Sequence, residues 1–87
     1  MSDIAATLVE RGKRYGDFLG HAQITYGLKD VMRLSPKWYS LSPDKKECLD
    51  MIAHKVGRIL NGNPEYRDSW YDIAGYATLV SESLRDE

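Results

Sequence analysis

The chain has very little with which to staple itself together. Its 87 residues hold one cysteine, Cys48, so no internal disulfide forms and no cysteine cluster exists for a structural metal. His21 and His54 are the only histidines, and no motif supports a Cys–His or Ser–His nucleophile. Neither a GxGxxG nor a GxxxxGK[ST] phosphate loop is present. No run of apolar residues approaches membrane-spanning length, and the start, Met-Ser-Asp-Ile-Ala-Ala, lacks the basic and long apolar regions of a signal peptide. A cytoplasmic location is therefore the expectation. A net charge of −1 supplies no overall field to attract nucleic acid. Strand-like alternation, internal repeats and low-complexity segments are also missing.

What remains is enough for one small domain, residues 1–87: 43% hydrophobic residues for a core and 29% charged residues. A chain this short buries a modest fraction of its surface, and pairing with a second copy is a common remedy, so a homodimer is expected. Charge is uneven along the chain. Residues 1–46 carry 8 Lys/Arg against 5 Asp/Glu, and residues 47–87 carry 4 against 8.

The pattern predicts an all-α protein, a compact bundle of about four helices whose last two form a long hairpin. A first helix starts at Ser2 as N-cap, with Asp3 in its first turn, and runs to about Arg11. Arg11-Gly-Lys-Arg-Tyr-Gly-Asp17 reads as a break, with Asp17 able to cap a second helix over roughly 18–34. Ser35-Pro36 ends that helix, and Lys37-Trp38-Tyr39 forms an aromatic connector. Ser42-Pro43 restarts a helix, with Ser as N-cap and Pro at the first helical position. This third helix runs to about Leu60 with an apolar stripe of Leu49, Ile52, Val56, Ile59 and Leu60, and Asn61-Gly62 stops it. A fourth helix, from Pro64 or Glu65 to about Leu84, has Tyr66, Trp70, Ile73, Ala77, Val80 and Leu84 at spacings of three and four.

That stripe leaves Asp68, Asp72, Gly75 and Leu79 on the opposite side of the fourth helix, flanked by Tyr71 and Tyr76. A glycine, a leucine and two tyrosines on an outward face suggest a second contact surface. On the third helix, Glu47, Asp50, Met51, His54 and Arg58 fall within one arc opposite the core, with Lys55 at its border. The corner Asn61-Gly62-Asn63-Pro64 brings these two sets of charges to one end of the hairpin. They form either an ion-pair clamp or a site for a charged ligand. In the second case Glu47, Asp50, Asp68 and Asp72 could hold Mg²⁺ through oxygen ligands, and Lys55, Arg58, Lys13 and Arg14 could neutralise phosphates. Lys13-Arg14-Tyr15 also sets basic residues beside an aromatic that suits a phosphate or a base.

The motifs Glu10-Arg-Gly-Lys-Arg-Tyr-Gly-Asp-Phe18, Met51-Ile-Ala-His-Lys-Val-Gly-Arg-Ile-Leu-Asn-Gly-Asn-Pro64 and Asp68-Ser-Trp-Tyr-Asp-Ile-Ala-Gly-Tyr76 together resemble a family of small uncharacterised phage and prophage proteins, across nearly the whole chain. More distantly, the chain resembles the MazG-like all-α nucleoside triphosphate pyrophosphohydrolases, helical dimers or tetramers whose paired acidic motifs bind Mg²⁺ and a nucleotide. Glu47-Cys-Leu-Asp50 approximates the first motif of that superfamily. Asp68-Ser-Trp-Tyr-Asp72 stands in place of the second, with a spacing of four instead of three. The resemblance implies nucleotide binding, Mg²⁺-dependent pyrophosphohydrolysis or sequestration of a nucleotide signal, with Tyr15 or Trp70 near the base. The alternative is a non-catalytic phage accessory protein that binds and inhibits a host defence protein through the face carrying Tyr71 and Tyr76.

Overall fold

The computed structural model describes residues 2–84. It contains four α-helices, α1 (Ser2–Tyr15), α2 (Phe18–Met32), α3 (Pro43–Asn61) and α4 (Arg67–Ser83), with a 3₁₀ turn at Pro36–Ser40 between α2 and α3. No strand occurs among the described residues. The protein is an all-α bundle, with α3 and α4 packed as a hairpin. No helix among the described residues is long and apolar enough to cross a membrane.

Local chemistry sets most of the boundaries. Asp17 has extended backbone, and its Oδ2 accepts a hydrogen bond from the Gly20 amide at 3.2 Å, which caps α2. Ser35 caps the 3₁₀ turn in the same way, its hydroxyl accepting from the Lys37 amide. Pro43 occupies the first position of α3, and the Gly62 amide closes its last turn by donating to the Arg58 carbonyl. The first helix is longer than expected: it continues through Gly12 to Tyr15, and the break narrows to Gly16-Asp17. Gly16 has φ +75°, a left-handed conformation that a side chain would strain. The capping role expected of the Ser2 side chain lies outside what is described.

α3 is the central helix, with α2 on one side and α4 on the other. It is therefore buried along two lines, through Cys48, Ala53, Lys55, Gly57 and Ile59. The expected single stripe is only partly right, since Leu60 stays 67% exposed. Small residues make the close approach to α2. A Cβ on Gly57 would collide with Thr25 Oγ1 and press on the His21 ring.

α4 is turned from its expected orientation. Ser69 is its most buried residue, Asp72, Ile73 and Tyr76 are half-buried, and Trp70 and Leu84 remain more than half exposed. Two polar contacts hold this side inward: Lys55 Nζ pairs with Asp72 Oδ2 at 2.9 Å, and the Cys48 thiol donates to the Tyr76 carbonyl at 3.3 Å. The small Ser69 side chain lets the helices come together there. Asp72 and Tyr76 thus sit on the border of the α3–α4 interface rather than fully on the outward face, Asp72 reaching Lys55 while both still line an outer groove with Tyr71, Gly75 and Leu79. Asp68, Tyr71, Gly75 and Leu79 do point away from it.

α1 stands apart. Every residue from 3 to 13 is exposed, and its backbone ties to the rest of the chain come from its last turn. The Asn63 amide donates to the Arg14 carbonyl at 2.7 Å, and Asn61 Nδ2 donates to the carbonyls of Tyr15 and Asp17, both at 2.8 Å. The molecule is 51 Å long and 26 × 25 Å across. At 1.5 Å per residue, that length is close to α3 (~28 Å) and α1 (~21 Å) laid end to end. The radius of gyration of 15.1 Å exceeds the ~12 Å typical of this length. α1 is therefore an arm hinged at Gly16 and clasped at its root by Asn61.

Candidate functional site

The clasp creates a cavity of about 400 Å³ between the arm and the bundle, lined by Leu8, Arg11, Tyr15, Phe18, His21, His54 and Arg58 among others. α1 supplies Leu8, Arg11 and Tyr15, α2 supplies Phe18 and His21, and α3 supplies His54 and Arg58. Gly16 and Gly62 permit the approach that brings them together: a Cβ on Gly16 would strike the Asn61 backbone, and one on Gly62 would strike the Arg14 carbonyl.

Two imidazoles form the inner wall. The His21 and His54 rings meet edge to face with centroids 4.6 Å apart. His21 Nε2 is 3.3 Å from both His54 Nδ1 and Thr25 Oγ1, while the buried His21 Nδ1 makes no hydrogen bond of good geometry. Burial is the main reason the His54 pKa is lowered from 6.5 to about 4, and the positive charge of Arg58, the neighbouring His21, and Lys55 and Lys29 add to it. The His21 pKa is lowered as well, by burial first and then by Arg58, with the Gly57 backbone opposing. Both rings are thus neutral at pH 7 and sit in a positive field. The same field that opposes a proton favours an anion.

Arg58 is the unpaired charge of the site among the described residues. Its guanidinium lies 4.1 Å from the centre of the Tyr15 ring, and among the described residues neither it nor Arg11 has a carboxylate within salt-bridge distance. Stacking fixes the plane of the guanidinium while leaving its N–H fork free for an oxyanion.

The other candidates disperse. Lys55 is buried against Asp72 and does not reach the cavity lining. Arg14 pairs with Glu10 at 2.7 Å and lies over the Tyr66 ring, while Lys13 is exposed on the arm. Asp50 is held by a two-pronged contact from Arg33, at 3.1 and 2.9 Å, and Arg33 also covers the Trp38 ring. Asp68 accepts from the Tyr66 hydroxyl at 3.1 Å, and Glu47 is exposed on α3. The four carboxylates therefore do not fit a shared Mg²⁺ site within one chain: two are committed to cations on different elements, and no group of three His, Cys, Asp or Glu residues is placed for metal among the described residues. Trp70 donates its indole N–H to the Pro64 carbonyl at 2.8 Å, Tyr71 is exposed on α4, and Tyr76 is half-buried beside Cys48.

Of the residues singled out in the sequence, Tyr15 and Arg58 are brought together at the cavity. His54, expected in the same arc as Arg58, and Arg11, from the basic cluster of the first turn region, join them; Leu8, Phe18 and His21 are the additions, and Asn61 is the residue that assembles them. A signal for them existed: glycine-bearing turns at Gly16 and Gly62 flank the two basic segments that meet.

The fold is all-α, with four helices among the described residues, the first an arm and the other three bundled, and a cationic, histidine-walled cavity lies between arm and bundle. Comparison with protein families, with curated proteins and with solved structures finds no match to the chain.

Proposed function

We propose that the protein binds a nucleotide or a similar phosphorylated aromatic ligand in the cavity between the arm and the bundle, and holds it without cleaving it. The observation that carries this reading is Arg58, stacked on Tyr15, free of any carboxylate partner among the described residues, and facing a cavity whose inner wall already feels a positive field. The guanidinium fork suits phosphate oxygens, and Arg11 supplies a second positive charge. Tyr15 and Phe18 offer rings against which a base can stack, and Phe18 is 83% exposed at the rim. A volume of about 400 Å³ falls within the usual range for small-ligand sites. Sequestration is preferred to hydrolysis because Asp50 and Asp72, which would have to coordinate a catalytic metal, are tied to Arg33 and Lys55.

The binding unit is read as a homodimer. Among the described residues fifteen large apolar side chains are exposed, and no side chain is less than 2% exposed.

Equilibrium dialysis against a panel of nucleoside mono-, di- and triphosphates, with and without Mg²⁺, tests the reading. Bound nucleotide should be recovered unchanged after denaturation, and Arg58→Gln should abolish retention. Absence of binding across the panel overturns the nucleotide reading, and recovery of cleaved product overturns sequestration in favour of an enzyme.

A further inference from the structure

The arm and the outer face of α4 are two unfilled surfaces on one chain. On α1, Ile4 and Leu8 form a stripe at helical spacing and each is more than 60% exposed. A helix of 14 residues is marginal in water on its own and owes its stability to a packed apolar face. On α4, Tyr71, Asp72, Gly75, Tyr76 and Leu79 line a shallow groove. Nothing lies within 4 Å of a Cβ built on Gly75, so this point of the groove is open to an incoming side chain.

Resting on the homodimer reading above, we propose that the two copies exchange arms: α1 of each packs antiparallel against the outer face of α4 of the other, with Ile4 opposite Leu79 and Leu8 seated over Gly75. Spacing admits this register, and charge sets its direction. Ile4 and Leu8 are separated by one helical turn, as are Gly75 and Leu79, so a single antiparallel alignment engages both pairs. It also runs the basic end of the arm (Lys13, Arg14) toward the acidic start of α4, where Asp68 lies. This is the local form of the charge asymmetry between the two halves of the chain.

Area favours a second copy as the occupant. The chain exposes 6633 Å². A folded monomer of its 9.9 kDa mass exposes about 5,200 Å². The excess, about 1,400 Å² per chain, corresponds to about 2,800 Å² in a dimer, within the range of obligate homodimers. A two-fold exchange fills both surfaces twice and leaves neither open. Because Leu8 and Arg11 also line the cavity, the docked helix becomes its outer wall.

Light scattering coupled to size exclusion, together with cysteine trapping, tests the exchange. The chain should elute at twice 9.9 kDa. Ile4→Glu and Leu79→Glu should each weaken the dimer at least about tenfold while the α2–α4 bundle stays folded. Ile4→Cys combined with Leu79→Cys, on a Cys48→Ala background, should oxidise to a covalent dimer whose mapped bridge joins position 4 of one copy to position 79 of the other. A monomer at high micromolar concentration overturns the homodimer reading and the exchange together. A dimer that forms a 4–4 bridge, an intrachain bridge or no bridge overturns the exchange alone, as does a dimer unaffected by either glutamate.

Discussion

Mild acid should loosen the protein through the His21–His54 contact. His54 is held neutral between α2 and α3, with its pKa lowered from 6.5 to about 4, first by burial and then by Arg58, His21, Lys55 and Lys29. The unfolded chain binds a proton here at the ordinary pKa, so stability is full above about 6.5 and falls as pH drops toward the folded value. Between pH 7.5 and pH 5 this lowering corresponds to a loss of about 2 kcal/mol. His54 is only half-buried, and solvent screening reduces this to about 1 kcal/mol. For a chain of this size that lowers the melting temperature by about 4–8 °C. Thermal unfolding followed by circular dichroism across this window, for wild type and His54→Gln, is the assay. The variant should show a clearly flatter dependence. An equally steep fall in His54→Gln would refute the assignment.

Gly57→Ala should destabilise by about 1–3 kcal/mol despite the better helix propensity of alanine, because its Cβ meets Thr25 Oγ1, and Thr25→Ala should recover part of the loss. Chemical denaturation of the single and double variants measures both effects. Asp72→Asn should be more damaging than Lys55→Met, by about 1–2 kcal/mol, because Lys55 is buried and Asp72 is not: losing the carboxylate strands an ammonium, whereas losing the lysine frees an acid that water can reach. Comparison of the two denaturation midpoints at pH 7 checks the order.

The elements were legible where they depend on local chemistry. Asp17, Ser35, Ser42-Pro43 and Asn61-Gly62 mark helix ends through caps and backbone preferences that involve only a few neighbouring residues. The orientation of α4 was not, because the apolar spacing of Trp70, Ile73 and Ala77 competes with the burial of Ser69 and the pull of Lys55 on Asp72. Those are contacts with α3, and periodicity within α4 does not contain them. α3 misled for a related reason: a helix packed on two sides buries Ala53 and Gly57, which no single apolar stripe reveals. The cavity was least legible. Its residues come from three helices, and their convergence depends on one side chain, Asn61, reaching the carbonyls of Tyr15 and Asp17. Tyr15 and Arg58 could be picked out as a ring and a cation, but their stacking required the turn at Gly16.

The measurement closest to the central claim is imidazole and arginine NMR during nucleotide titration of the intact protein. Saturable shifts at His21, His54 and the Arg58 side chain, lost in Arg58→Gln, are the predicted result. Unperturbed histidines, or shifts confined to Tyr71 and Leu79 on the outer face of α4, would contradict it.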